Sequence, residues 1–342
     1  MFSTPEQLSD EQKQQTVLVA NHSHPHLAQE VASIMGIPLS PVDVRIFPNG
    51  EVYTRYTESV RGKDVVILST GVSGTRDESG AVWSQNDNIQ SVLHLVDGAR
   101  GSSAHKIYVV EAHLPYARGD RMALPRESVG ARVHIRTLEA MGMSALVAVD
   151  LHSKQIQAIT DRPFDNLEAM PIISSELGKI VIEPAKYIFV APDEGRLKES
   201  LQYGRVHGTS VDFLAKQRDP SNSSEITRTH RLTTVGGLTC ILVDDMIDTA
   251  GTLVSAARSL KQDSGAKEVI AAATHGLFSG KALERLASDD VDRIIVTDTL
   301  PVEMAKKHLG DKLTVLPIAP LIGRALFEIL SGGSVSRLFS NK

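Results

Sequence analysis

The sequence is poor in several things, and each lack narrows the protein. A single cysteine, Cys240, rules out a disulfide within the chain and agrees with a reducing, cytoplasmic setting. It sits in an apolar run and reads as a buried packing thiol. A formal charge of −5 leaves no surplus of cations for sequence-independent nucleic-acid binding. No apolar stretch reaches the length that crosses a bilayer, so no membrane partner is expected. Residues 1–15 are polar, lack a signal-peptide core and are expected to form a flexible leader. What is present is ordinary for a soluble protein: 342 residues, 42% hydrophobic and 23% charged, enough for two α/β domains.

One stretch organises the rest. Thr239-Cys240-Ile241-Leu242-Val243 is an apolar, β-branched run, the pattern of a buried strand. It turns into Asp244, Asp245, Asp248, Thr249, Ala250, Gly251 and Thr252, and then Leu253, Ala256, Ala257 and Leu260 recur at helical spacing. Strand, short loop and helix follow one another, and such a loop aims backbone N–H groups and a helix dipole at one spot, which suits a phosphate. Asp244 and Asp245 stand at the strand's carboxyl end, where open α/β sheets bind ligands, and can hold sugar hydroxyls or a hard cation. A capped βα turn accounts for one acid and one glycine; three acids with Thr-Ala-Gly-Thr exceed what a cap needs.

Other segments carry chemistry more weakly. Phe47-Pro48-Asn49-Gly50-Glu51 is a hairpin turn, with Phe47 either core or a platform for a base. Gly71 to Ser84 reads as a mobile loop, and Asn86-Asp87-Asn88 as the cap of a helix. Arg118, Asp120 and Arg121 crowd charge into one loop, where arginine offers bidentate donors to phosphate and a flat face to a purine. A helix is expected over 127–141. His152 follows an apolar strand ending in Asp150. Pro192-Asp193-Glu194-Gly195 suits a β-turn. Lys216 and Arg218 lie before a Ser-, Asn- and Pro-bearing flap.

Val-Asp-Asp-Met-Ile-Asp-Thr-Ala-Gly-Thr at 243–252 resembles the loop that binds phosphoribosyl diphosphate in type I phosphoribosyltransferase folds, most closely that of the ribose-phosphate diphosphokinase (phosphoribosyl diphosphate synthetase) family. Phe47 to Glu51, the Arg118 loop, Asp150-Leu151-His152 and the terminal Ser334-Val335-Ser336-Arg337-Leu338-Phe339 resemble that family's other motifs, so the likeness runs from about 16 to 339. Asn49 stands where the family has Asp, Gly119 where it has Gln and Arg337 where it has Tyr.

The resemblance implies an α/β protein of two tandem type I phosphoribosyltransferase-like domains, each a mostly parallel sheet flanked by helices. The expected boundaries are 16–168 and 169–322, with a tail at 323–342 returning to the first domain. The implied reaction is ATP plus ribose 5-phosphate giving AMP plus 5-phosphoribosyl 1-diphosphate, for nucleotide biosynthesis. Lys216 and Arg218 would be catalytic. Phe47, Asn49, Glu51, Arg118, Asp120 and His152 would bind ATP. Asp244, Asp245, Asp248, Thr249, Ala250, Gly251 and Thr252 would bind ribose 5-phosphate. His152 and Asp193 would contact Mg²⁺, and Ser59, Arg61, Ser334 and Ser336 would line a regulatory anion site. A hexamer with ATP sites shared between subunits is implied as well. A phosphoribosyltransferase, a silent synthetase-associated subunit and a repressor on this fold are the rivals. The Arg118 and His152 motifs, the presence of Lys216 and Arg218, and the shortness of the leader weigh against them in turn.

Overall fold

The computed structural model describes residues 8–77, 79–219, 222–230 and 235–339, with side chains described at all of these except 215–219 and 222–230. The chain divides into two compact units. One comprises 8–169 together with Thr299–Pro301 and 317–339; the other comprises Met170–Asp298 and Val302–Leu316.

In the first unit the strands are β1 (Thr16–Ala20), β2 (Val42–Ile46), β3 (Val52–Tyr56), β4 (Asp64–Ser69), β5 (Thr75–Arg76), β6 (Val82–Trp83), β7 (Lys106–Glu111), β8 (Ala145–Val149) and β9 (Phe164–Leu167). Its first helices are α1 (Asp10–Gln15), α2 (Pro25–Met35), α3 (Gln85–Gly101) and α4 (Gly130–Met141). A five-stranded parallel sheet runs β1-β4-β7-β8-β9, in chain order. Its core strands are apolar on both faces, as a covered parallel sheet requires. Val65, Ile67 and Val109 pack with Val92, Leu95 and Val96 of α3 and Ile135 and Leu138 of α4.

Several elements depart from expectation. Asp10–Gln15 is a helix rather than part of a flexible leader. Ser9 caps it, and Gln12 returns the bond to the Ser9 amide at 2.9 Å, a capping box written in the sequence as Ser-x-x-Gln. The α3 helix starts at Gln85 because Ser84 is its cap, and Asp87 is the third helical residue that bonds back to it. The α4 helix begins three residues later than expected. The Glu127 carboxylate is occupied with the amides of Ala123 and Leu124 at 2.7 and 2.9 Å. Gly36 ends α2 at φ +63, a left-handed conformation that suits glycine after a helix.

The stretch expected to be a mobile loop, 71–84, is a small hairpin. Its strands β5 and β6 pair antiparallel, and the chain's one tryptophan, Trp83, is fully buried against Val44 and Val52 of the β2–β3 hairpin. Asp77 holds the hairpin closed. One oxygen accepts from the Ser79 hydroxyl at 2.6 Å and the other from the Trp83 indole N–H at 3.0 Å.

The second unit continues with β10 (Tyr187–Ala191), β11 (Ser210–Phe213), β12 (Ala215–Asp219), β13 (Asn222–His230), β14 (Thr239–Ile247), β15 (Glu268–Gly276), β16 (Arg293–Thr297) and β17 (Leu313–Leu316). Its helices are α5 (Met170–Ile180), α6 (Leu197–His207), α7 (Gly251–Gln262), α8 (Ala282–Leu286) and α9 (Glu303–Leu309). Six strands form a parallel sheet in the order β11-β10-β14-β15-β16-β17. Successive residues of β14 face opposite sides. Cys240 and Leu242 pack with α7, α8 and α9, whereas Ile241 and Val243 pack with α5 and α6. Cys240 is thus a fully buried packing thiol.

The chain ends in α10 (Ala319–Ser331), which belongs to the first unit. A Cβ on its Gly323 would press on Ile34 of α2, so glycine there allows the two helices to approach closely. Among the described residues no helix is long and apolar enough to cross a membrane.

Candidate active site

The strand order of the second sheet reverses at β10. The chain leaves β10 toward β11 on one side and returns to β14 on the other. The carboxyl ends of β10 and β14 therefore bound a crevice, the usual ligand position in an open α/β sheet. The residues following β14 build one wall. Ala250 adopts a left-handed conformation at φ +58 and directly precedes α7, where no side chain caps the helix. A left-handed residue before a helix start curls the amides into a concavity suited to anions. Ala250 is buried, so a small side chain suits it.

The loop is held from behind by residues that sequence reading did not single out. The Asp248 carbonyl accepts from the Ser279 amide at 3.0 Å, and the Thr249 carbonyl accepts from Arg285 Nη1 at 2.7 Å. A trans peptide points its N–H opposite its C=O. The Thr249 and Ala250 amides therefore face away from the 279–285 segment, and among the described residues neither has a backbone acceptor. With the first amides of α7 they form a donor-lined cradle. Thr249 and Thr252 are exposed and add hydroxyls.

The acids form the other part of the crevice. Arg196, from the loop after β10, reaches across to β14. Its Nε lies 2.8 Å from Asp244 Oδ1 and its Nη2 2.5 Å from Asp245 Oδ1, while Nη1 meets Glu199 Oε1 at 3.1 Å. Burial pushes the Asp244 carboxyl well above the usual carboxylate range. Arg196 pulls it down and Asp245 pushes it up again. For Arg196 burial works against the charge, and Asp245, Asp244 and Glu199 together outweigh it, so the guanidinium is held above its ordinary value. One cation thus serves three acids. Asp245 is bonded at the shortest distance and is almost fully buried.

Asp193 is half-buried at the head of the same β10 loop. The β12–β13 hairpin carries Lys216 opposite Thr229 and Arg218 opposite Ile226. The side chains of Lys216 and Arg218 lie outside the described residues.

The remaining expected site residues belong to the first unit. Phe47 stands on the β2–β3 turn, whose ends are tied by the Phe47 amide donating to the Glu51 carbonyl at 2.8 Å. Gly50 takes φ +90, and Asn49 Oδ1 accepts from the Glu51 amide at 3.2 Å, so Asn49 serves the turn itself. The Phe47 ring is 38% exposed, beside Tyr53 and 5.4 Å from the Arg45 guanidinium. Arg118 is exposed and Asp120 half-buried in their loop. A side chain at Gly119 would crowd the Gly130 amide at 3.3 Å and the Tyr116 carbonyl at 3.4 Å, which explains the small residue. His152 is half-buried just beyond β8, where Asp150 takes φ +37 and accepts from the Ala169 amide at 3.1 Å. Arg61 donates to Ser103 at 3.4 Å, and the Ser334 amide donates to Glu328 at 2.9 Å; Ser59 and Ser336 are exposed.

Comparison with known proteins identifies the family. A family profile described as the N-terminal domain of ribose phosphate pyrophosphokinase matches residues 16–142, and one described as a phosphoribosyl synthetase-associated domain matches residues 220–340. A ribose-phosphate pyrophosphokinase of Corynebacterium efficiens is 36% identical over 94% of this chain and 95% of its own. One from Aquifex aeolicus is 37% identical over 94% of this chain and 98% of its own. The chain belongs to the ribose-phosphate pyrophosphokinase family. A solved phosphoribosylpyrophosphate synthetase from Mycobacterium smegmatis has a TM-score of 0.82 at 33% identity, covering 93% of this chain and 99% of that one. The expected fold, an α/β chain of two phosphoribosyltransferase-like domains, holds for this family member. Arg196 and Arg285 are its site residues that a motif reading passed over. Each lies next to or beyond a motif and acts through a contact that only the fold creates.

Proposed function

We propose that this chain moves the diphosphoryl group of ATP to ribose 5-phosphate, yielding AMP and 5-phosphoribosyl 1-diphosphate. The observation that carries the reading is the cradle at 248–252, with two amides turned outward beside the Asp244–Asp245 pair. The cradle takes the 5-phosphate, and the acids take sugar hydroxyls, which fixes where O1 stands. O1 attacks the β-phosphorus, the bond from that phosphorus to the α-phosphate oxygen breaks, and AMP leaves with the electron pair. The O1 proton is lost, and no side chain is assigned to receive it. Such a transfer relies on alignment and charge neutralisation rather than on a covalent protein group. Lys216 and Arg218 supply cations to the phosphates as charge develops. Phe47 and Arg118 flank the adenine, with Asn49, Glu51 and Asp120 as polar neighbours of the nucleotide.

Among the described residues no group of three or more acids, histidines or cysteines is arranged to hold a metal. Mg²⁺ is commonly held by substrate phosphates and water with one or two protein ligands. His152 would provide one on the nucleotide side and Asp193 one on the sugar side. When bound, Mg²⁺ neutralises phosphate charge. The assembly reading is a cytoplasmic hexamer in which Phe47 to Glu51 complete a neighbour's ATP site; a fully active monomer in sedimentation at assay concentration would refute it. Ser59, Arg61, Ser334 and Ser336 are read as an activating phosphate site. A flat response to phosphate at fixed ionic strength and free Mg²⁺ removes that role.

The deciding experiment incubates the protein with ATP, ribose 5-phosphate and Mg²⁺. AMP and phosphoribosyl diphosphate are expected in equal amounts. Stoichiometric ADP without AMP rejects diphosphoryl transfer in favour of an ordinary kinase.

A further inference from the structure

The proposed chemistry leaves one buried cation of the sugar-phosphate crevice without a task. We propose that Arg196 is a positioning residue: it lies across Asp244 and Asp245, fixes one oxygen of each, and presents Asp244 Oδ2 as the acceptor that distinguishes ribose 5-phosphate from its 2-deoxy analogue. This rests on the assignment of the crevice to ribose 5-phosphate.

The geometry supports the role in three steps. Asp244 Oδ1 is doubly engaged, by Arg196 Nε at 2.8 Å and by the Asp245 amide at 2.9 Å. Oδ2 is the Asp244 oxygen that neither Arg196 Nε nor the Asp245 amide occupies, and the Asp244 side chain is 32% exposed, so Oδ2 is the oxygen a hydroxyl can approach. Asp245, with a side chain only 5% exposed, is buried beneath the same guanidinium. Arg196 is itself clamped, since Nη1 meets both oxygens of Glu199 at 3.1 and 3.3 Å. A planar guanidinium can bond two neighbouring carboxylates and a third at once in a fixed fork. An ammonium cannot copy that geometry.

The location matters as much as the pairing. Arg196 comes from the chain leaving β10 and the acids from β14, so this ion pair ties together the two strands between which the sheet reverses. Two adjacent acids repel each other, and a guanidinium lying against both favours the charged form of each. A hydrogen-bonding site rejects an analogue that lacks the partner hydroxyl far more strongly than an apolar pocket rejects a missing methylene. Selectivity between the two sugars therefore reports the pose of Asp244, which a purely structural ion pair would not control.

The test compares wild type with Arg196→Lys, using ribose 5-phosphate and 2-deoxyribose 5-phosphate as sugar substrates. KM for ribose 5-phosphate should rise about tenfold, KM for ATP should stay within about threefold, and the kcat/KM preference for ribose should fall about tenfold. If Arg196→Lys does not fold, the charge-balanced pair Arg196→Gln with Glu199→Gln replaces it, with the same loss of preference expected. A folded variant with lowered Tm and unchanged preference overturns the proposal and leaves Arg196 a structural ion pair. Absence of AMP from the wild type would instead sink the diphosphoryl-transfer reading. Calorimetric titration of ribose 5-phosphate then still decides on Arg196, and equal or undetectable binding by wild type and variant counts against it.

Discussion

At the carboxyl ends of β10 and β14 the strand order reverses, and the chain turns two amides outward beside a guanidinium-bridged acid pair. At the carboxyl ends of β1, β4 and β7 the order runs straight, and the polar groups there bond one another. Asn21 Nδ2 donates to Ser91 at 2.9 Å, the Ser23 hydroxyl donates to Asn21 Oδ1 at 2.5 Å, and the Thr70 amide donates to Ser23 at 2.9 Å. The Thr70 hydroxyl in turn donates to the Thr299 carbonyl and accepts from the His113 amide. Glu111 at the end of β7 meets His134 of α4 at 2.9 Å, with both side chains almost wholly buried. Two parallel sheets of one chain thus end in opposite ways. A topological reversal opens a crevice whose donors have no room for internal partners. An unreversed edge closes over itself and satisfies its own groups. In the proposed function, the ligand-binding role of the first unit would therefore rest on its loops, such as those of Phe47, Arg118 and His152.

If the reversed edge is the reacting one, the hairpin that leaves it carries the largest effect. Lys216→Ala should lower turnover about a hundredfold or more while ribose 5-phosphate affinity stays nearly constant, because its charge matters chiefly in the transition state. Single-turnover kinetics with separate binding titrations checks this. Unaltered turnover would break the assignment of the flap. The closed edge should respond in the opposite sense. His134→Ala leaves the Glu111 carboxylate buried without its partner, which should cost about 3 kcal/mol of stability. Denaturant unfolding should show that loss, with KM for ribose 5-phosphate unchanged in the folded fraction. A sugar-specific KM change would mean that this edge also serves the ligand.

Arg285→Gln sharpens the contrast at smaller scale. Losing one charge-assisted bond to the Thr249 carbonyl frees the peptide that aims the Ala250 amide. KM for ribose 5-phosphate is expected to rise about threefold to tenfold, with KM for ATP unchanged. Equal shifts in both constants would show that Arg285 supports the fold generally rather than the cradle.

How much of this was legible in the sequence follows the same division. The apolar β14 run, the helix at Leu253 and the acids between them could be read because strand, loop and helix lie in one continuous stretch. The Phe47–Glu51 turn was legible for the same reason. Arg196 and Arg285 were not. Their partners lie about fifty and thirty-six residues away in sequence, and only strand order brings them together. Ser9 and Ser84 were local signals that the reading passed over, and Asp87 was read as part of the cap rather than as the residue that bonds back to it, although a capping box is visible as Ser-x-x-Gln or Ser-x-x-Asp.

The smallest expected effect tests the stretch at 71–84, where composition misled. Gly71, Gly74, Gly80 and several serines suggest mobility, yet Asp77 gathers the turn around one carboxylate, and Trp83 is buried under the β2–β3 hairpin that presents Phe47. The Ser79 hydroxyl, then the Trp83 indole N–H, hold the Asp77 carboxyl down to about 2, against an ordinary 3.8. A lowered folded-state value means that the contribution is complete above the unfolded value and is lost as the pH falls. Emission from the one tryptophan should therefore stay constant down to pH 3.8 and move to longer wavelength as the pH falls through about 2. Asp77→Asn, with its amide nitrogen placed toward the indole, should show part of that shift already at neutral pH, at a cost of about 1 kcal/mol. Because the hairpin underlies Phe47, the same variant should raise KM for ATP slightly and leave KM for ribose 5-phosphate alone. Wild-type emission that already matches a solvent-exposed indole at neutral pH would show the hairpin open in solution, and the contrast between a closed first-unit edge and an open second-unit edge would lose this support.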